Sequence, residues 1–167
     1  MTTADFDGQF RELLERHRGI VFKVANSYAS NAHDREDLAQ EIAVQLWRAF
    51  PKYDGARSFS TWMYRVALNV GISHLRERSR HENHHEPLDL ALHDGADAGS
   101  EPDADLHLRE LRRCITRLDP LNRALLILYL DERSQRDIAE ILGISETNVA
   151  TKIGRLKQRL RNDMSEA

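Results

Sequence analysis

The chain is 167 residues long, with one cysteine, Cys114, four prolines and only 7% aromatic residues. A single thiol excludes an intramolecular disulfide and any metal site built from cysteines alone. No run of about 18 apolar residues occurs, so no membrane span and no membrane insertion are expected. The first residues, MTTADFDGQF, are acidic and lack the basic-then-apolar pattern of a signal peptide. A cytoplasmic location is the expectation. No P-loop, no GxSxG and no pair of acids in an evident cleft is present, so no enzyme, no catalytic residue and no cofactor are expected. Strand signals are missing too. No apolar alternation of useful length occurs, and Asp54-Gly55 and Asp94-Gly95 lack flanking strands. The fold class expected is all-α.

Basic residues are absent from one segment altogether. Residues 81–106 hold no lysine or arginine and eight acids. Residues 1–80 carry 12 Lys/Arg against 10 Asp/Glu, and residues 107–167 carry 12 against 9. The net charge of −3 therefore averages two mildly basic blocks and one strongly acidic strip. An acidic whole-chain balance argues against nucleic-acid binding, but the block balance removes that objection. The strip also holds two of the prolines and few large apolar residues. It cannot bury enough surface to offset its ordering entropy, so it reads as a flexible linker between two small helical domains, 1–80 and 107–167.

The apolar spacing in the first block predicts a helix from about Asp7 to Tyr28, with Phe10, Leu13, Leu14, Ile20, Val21 and Val24 inward. A second helix is expected from an N-cap at Asp34 to Phe50, stopped by Pro51, with Leu38, Ile42 and Leu46 inward. A third helical stretch runs from Phe59 to about Arg80, with a short loop at Asn69-Val70-Gly71. The second block predicts helices over roughly 105–118, 120–131, 134–142 and 145–162. Ser134 and Ser145 are the N-caps, and Gly143 takes a left-handed turn.

Three patterns carry chemistry. The segment SQRDIAEILGISETNVATKIGRLKQRL has the layout of a helix-turn-helix. Ile138, Ala139 and Leu142 pack from its first helix, and Val149, Ile153, Leu156 and Leu160 from its second. Thr147, Asn148, Thr151, Lys152, Arg155 and Arg159 are left on other faces, as a helix entering a major groove requires. On the second helix of the first block, Asp37, Gln40, Glu41 and Val44 stand at offsets 0, 3, 4 and 7. An acidic face with one exposed apolar residue suits a basic protein partner. In SFSTWMYRVALNVGISHLRERSR, aromatics precede arginines, the combination that unpaired bases need for stacking and phosphate neutralisation.

Together these segments resemble the bacterial RNA polymerase sigma factors of the extracytoplasmic-function class, within the sigma-70 family. DREDLAQEIAVQLWRAF looks like that family's polymerase-binding helix in region 2, and FSTWMYRVALNVGISHLRERSR like its −10 element reader. Leu111 to Arg161, with LDPLNRALLILYLDERSQRDIAEILGIS, looks like region 4. The resemblance implies a transcription initiation factor that addresses core polymerase to promoters and assists strand opening. It implies docking through Asp37, Gln40, Glu41 and Val44 on the polymerase β′ clamp, with further contacts to β. It implies capture of a flipped −10 base near a loop at Asn69 to Ser73, flanked by Trp62, Arg65, His74, Arg76 and Arg78. Thr147, Asn148, Thr151, Lys152, Arg155 and Arg159 would read duplex −35 DNA. Promoter DNA, core RNA polymerase and an anti-sigma factor or other regulator are the implied partners. Ala150 and Gly154 depart from the family's usual residues on the reading helix, which bears on the −35 sequence read.

Other readings fit less of the chain. His81, His84 and His85, with Glu82 and Glu86, have metal-ligand character, but they fall in the predicted linker without a second ligand set, so no metal is expected. Cys114 reads as a small buried hydrophobe. A different helix-turn-helix regulator would need a receiver domain in place of the helical first block. A sigma mimic acting through an anti-sigma protein would have lost the basic residues that remain here.

Overall fold

The computed structural model describes residues 2–82 and 102–166. Among these residues every regular element is helical, as the missing strand signals predict. The α-helices are α1 (Thr3–Arg16), α2 (Arg18–Tyr28), α3 (Ala32–Ala49), α4 (Phe59–Glu82), α5 (Pro102–Arg117), α6 (Pro120–Leu130), α7 (Gln135–Leu142) and α8 (Glu146–Ser165). A short 3-10 helix spans Phe50–Lys52, where Pro51 removes a backbone donor and ends α3. The chain divides into two compact units, Met1–Arg80 and His81–Ala167.

In the first unit α2, α3 and α4 bury their apolar stripes against one another. Val24, Ile42, Leu46, Met63 and Tyr64 are fully enclosed. At one end of this core, Phe6 and Phe10 of α1 close on the Phe50 ring, with centroids 4.8 and 5.1 Å away.

In the first unit local structure departs from the sequence reading at three points. The predicted first helix is two helices that meet at His17. That residue leaves helical geometry (φ −115°, ψ 16°). Its Nδ1–H donates to the Leu13 carbonyl at 3.0 Å, and its ring packs on Phe59. The break takes one residue, so the apolar period runs through it undisturbed. The cap of α3 is Asn31, not Asp34. Asn31 Oδ1 accepts the Asp34 N–H at 2.8 Å, and its amide donates to the Asp34 carboxylate at 2.9 Å. Both residues are good caps, and the reciprocal bond decides for the earlier one.

The third departure is at Asn69-Val70-Gly71, where no loop exists and α4 is continuous. Gly71 is there for packing. A Cβ on it would lie 2.8 Å from Tyr28 Cδ2 and 3.0 Å from Cγ, so the α4 backbone rests directly on the Tyr28 ring of α2.

In the second unit α6 is the central helix, with Leu125 and Leu128 buried. Leu118 and Cys114 of α5, Ile138 and Ile141 of α7, and Val149, Ile153 and Leu156 of α8 complete the core. Ile141 takes the inward place expected of Leu142, which is half-buried along with Ala139. One charged side chain is inside. Arg123 is 6% exposed, and its guanidinium donates to the carbonyls of Thr116 (3.1 Å) and Leu118 (3.2 Å) at the end of α5. Helix α5 starts at Pro102, earlier than the apolar spacing implies. The rest of the acidic strip, including His84 and His85, lies outside the described residues. His81 is exposed.

Candidate partner-binding faces

Asp37, Gln40, Glu41 and Val44 all lie on the solvent side of α3. The helical repeat sets them in one strip. Their opposite face carries Leu38, Ile42 and Leu46, which are almost wholly buried. The same repeat brings Trp47 to the border of the strip. It is 52% exposed, beside Val44 at 45%. The Trp47 Nε1–H donates to Asp7 Oδ1 of α1 at 3.4 Å. Sequence reading missed Trp47. Its signal was its position two helical turns beyond Gln40, where an apolar residue has no core to enter. Asp37 also lies 3.4 Å from His33 Nε2.

The residues expected on the −10 side separate into two groups. Trp62, Arg65, Asn69, Ser73 and Arg76 fall along one stripe of α4. Arg65, Asn69, Ser73 and Arg76 are exposed and Trp62 is half-buried. His74 and Arg78 project from the other side of the helix. Arg78 donates to the Asp34 carboxylate at the start of α3, and His74 Nε2 is buried. Arg78 ties α4 to α3, His74 Nε2 has no hydrogen-bond partner among the described residues, and neither side chain joins the exposed stripe. Burial alone would push the Asp34 carboxyl up. The Arg78 guanidinium, the Asn31 amide and the nearby His74 outweigh it and hold the carboxyl below its usual range.

A depressed carboxyl stabilises the fold at pH values above its unfolded range, and that contribution is lost as pH falls through the folded value. Wild type should therefore lose more stability than Asp34→Asn between about pH 5 and pH 2. Urea midpoints taken across that range check this, and parallel curves would show that the ion pair contributes nothing.

The loop after the 3-10 helix supplies a concavity. Tyr53 Oη donates to the Arg57 carbonyl at 2.7 Å, Asp54 Oδ1 accepts the Ala56 N–H at 2.9 Å, and Gly55 takes φ 76°. These contacts hold the loop in a tight turn. Lys52, Tyr53, Asp54, Ala56, Arg57 and Trp62 line a site of about 340 Å³. The Trp62 ring stands 5.2 Å from Tyr53 and 5.3 Å from Phe59. A concavity bordered by two contacting aromatic rings and two cations is thus formed at 52–57. Sequence reading had put the base-capturing loop at Asn69 to Ser73, which is helical.

In the second unit α7, the turn and α8 have the geometry of a helix-turn-helix. Ser134 Oγ accepts the Asp137 N–H at 3.1 Å, and Ser145 Oγ accepts the Asn148 N–H at 3.1 Å. Gly143 sits in the left-handed region at φ 69°. Asn148, Thr151, Lys152, Arg155 and Arg159 share one stripe of α8, with Thr147 at its edge. All are exposed except the half-buried Lys152. Thr151 donates to the Thr147 carbonyl at 3.1 Å. Arg159 Nη2 donates to the Arg117 carbonyl at 3.5 Å, so its guanidinium reaches the end of α5. Ala150 and Gly154 lie on a flank, and nothing stands within 4 Å of Gly154. Among the described residues no group of His, Cys, Asp or Glu could hold a metal ion, and no helix is long and apolar enough to cross a membrane.

These features have counterparts in characterised proteins. The family model of sigma-70 region 2 matches residues 13–81, and that of sigma-70 region 4 matches residues 108–160. The chain is 27% identical to the extracytoplasmic-function sigma factor SigW of Bacillus subtilis, over 94% of this chain and 89% of that protein. It is 28% identical to the sigma factor CnrH of Cupriavidus metallidurans, over 90% and 84%. In fold it is similar to the sigma factor RpoE of Bartonella quintana, solved with the anti-sigma factor NepR. The TM-score there is 0.70 with 21% identity, covering 96% of this chain and 97% of that one. Two regions of one family, matched in order along most of a chain that carries both an exposed acidic helix face and a helix-turn-helix, leave one assignment: the chain belongs to the sigma-70 family, in its extracytoplasmic-function class, and is a transcription initiation factor that directs RNA polymerase to promoters.

Proposed function

We propose that residues 1–80 dock on core polymerase and hold unpaired −10 bases, that residues 107–167 grip duplex −35 DNA, and that 81–106 joins the two. The observation that carries this division is the separation of two exposed faces of opposite character. One is acidic and apolar on α3, and the other is polar and basic on α8. The first suits a basic protein surface such as a β′ clamp helix, with Trp47 added to Asp37, Gln40, Glu41 and Val44. On α8, Asn148 and Lys152 have the donors to read base edges, while Arg155 and Arg159 suit phosphates.

On the −10 side the exposed stripe of α4 follows the strand through Arg65, Asn69, Ser73 and Arg76. The concavity at 52–57, beside the contacting Tyr53 and Trp62 rings, receives an extruded base. Extrusion costs a few kcal/mol, and stacking on an aromatic face offsets part of it. Arg78 acts by positioning α4. The protein makes no bond itself; the polymerase does the chemistry. The chain works in the cytoplasm, where both partners are. Solved relatives are complexes of a sigma factor with an anti-sigma protein or the cytosolic domain of another protein, which supports a regulator of that kind here.

Asp37→Ala combined with Glu41→Ala tests the docking face. Both side chains are exposed, so melting should stay within about 0.5 kcal/mol of wild type. Affinity for core polymerase, read by interferometry, should fall about tenfold or more. Unchanged core affinity in the folded double variant would remove α3 from the interface.

A further inference from the structure

Helix α5 carries arginines that the assignments above leave without a role. Arg112, Arg113 and Arg117 are exposed, Arg112 and Arg113 away from the buried Cys114 and Leu118 and Arg117 at the edge of that buried row. Among the described residues none of the three has an ion-pair partner. Arg113 and Arg117 stand four residues apart, an arrangement in which like charges repel along a helix. Arg117 gains from the negative end of the α5 dipole, but Arg112 and Arg113 lie too far back in the helix to share much of that gain. Folding therefore does not explain the group, and an anion would.

The position of α5 indicates which anion. Arg159 lies on the same stripe of α8 as Asn148, Lys152 and Arg155, and its guanidinium donates to the Arg117 carbonyl at 3.5 Å. The end of α5 thus borders the DNA-facing side of α8. A duplex seated on α8 presents rows of phosphates beyond the groove that the helix occupies. Arginine forks match phosphate oxygens in pairs.

We propose that Arg112, Arg113 and Arg117 form a second phosphate-binding strip, which continues the basic face of α8 onto α5 and holds the duplex backbone beside the −35 element. This rests on the reading of α8 as the −35 helix. The strip carries no base specificity. It adds affinity and fixes the angle at which the duplex crosses the second unit.

The test uses the full chain with all three arginines changed to Gln, and a second variant with all three changed to Lys. The probe is a duplex of about 30 base pairs recovered by the wild-type protein from a random pool, alongside a core of about 12 base pairs cut from it. The Gln variant should bind the long duplex about tenfold more weakly at low salt. Its slope of log affinity against log salt should be two to three units shallower. It should match wild type on the short duplex, and the Lys variant should recover most of the loss. Should the triple Gln change unfold the second unit, Arg113→Gln alone should still lower the slope by about one unit.

Lys152→Gln with Arg155→Gln is the control. Those changes should weaken both duplexes, and if they do not, the −35 reading fails and not merely the strip. Weakening by the α8 variant alone, with the α5 variant equal to wild type on the long duplex, overturns the proposal. So does tighter DNA binding by the α5 variant, which would assign the arginines to the acidic 81–106 strip. A loss of core-polymerase affinity with unchanged DNA affinity overturns it too, in favour of a protein partner.

Discussion

Gly71→Ala should destabilise the first unit by about 2 kcal/mol. The added methyl would lie 2.8 Å from Tyr28 Cδ2 and 3.0 Å from Cγ. Those are the inner atoms of a ring that is 2% exposed, so neither ring nor backbone can yield cheaply. Overpacking of this kind costs about 1–3 kcal/mol, and the loss falls at the upper end because α4 is held along its length. Better helix propensity returns up to about 1 kcal/mol. Gly154→Ala is the matched control. It has nothing within 4 Å, so only the propensity gain remains, and the second unit should gain up to about 1 kcal/mol. Both tryptophans, Trp47 and Trp62, lie in the first unit, so their fluorescence reports its unfolding inside the full chain. A neutral or stabilising Gly71→Ala would mean that α2 and α4 do not approach as closely as described.

Arg123→Met should cost the second unit about 3 kcal/mol. Methionine keeps much of the volume of the stem but has no donor. The carbonyls of Thr116 and Leu118, now bonded at 3.1 and 3.2 Å, would lose a charged partner beneath α6. An unsatisfied buried acceptor costs about 1–3 kcal/mol, and the favourable placement of a cation at the end of α5 is lost with it. Both bonds come from one nitrogen, Nη2, and Arg123→Lys should recover only part, since the ammonium is more strongly hydrated and costs more to bury than a guanidinium. Urea unfolding followed by far-UV circular dichroism reads the loss, while the tryptophan transition of the first unit stays in place. An equal shift of both transitions would show that Arg123 is not specific to its unit. A Met variant as stable as wild type would show that packing alone holds α5 to α6.

A glycine between Val70 and Ile72 and an arginine among leucines both look like interruptions of a helical pattern. In each case the interruption is the contact. Gly71 admits a ring, and Arg123 closes a helix end. The same holds for His74 and Arg78. By composition they belong with Arg65 and Arg76 in a basic stretch, yet α4 turns them toward Asp34 and leaves the others to solvent.

What the sequence by itself determined is whatever depends on period, composition and order. The helical repeat marked the buried stripes of α3 and α8. The Ser-turn-Ser signals around Gly143 marked the helix-turn-helix. The block charge balance separated two basic segments, and the DLAQE helix followed by the aromatic stretch and region 4 pointed to the family. These are local properties, legible because each is set by residues within a few turns of one another. Only the tertiary structure decided what depends on neighbours distant in sequence. Arg78 joins Asp34 and not the exposed stripe because the start of α3 lies against α4. The concavity forms at 52–57 because Trp62 packs back on Tyr53 and Phe59. Trp47 lies on the exposed face of α3 because no core residue covers it. Gly71 is a packing residue because Tyr28 arrives from another helix. One residue on a chain carries no record of which distant side chain will meet it, and the energy of that meeting sets its role.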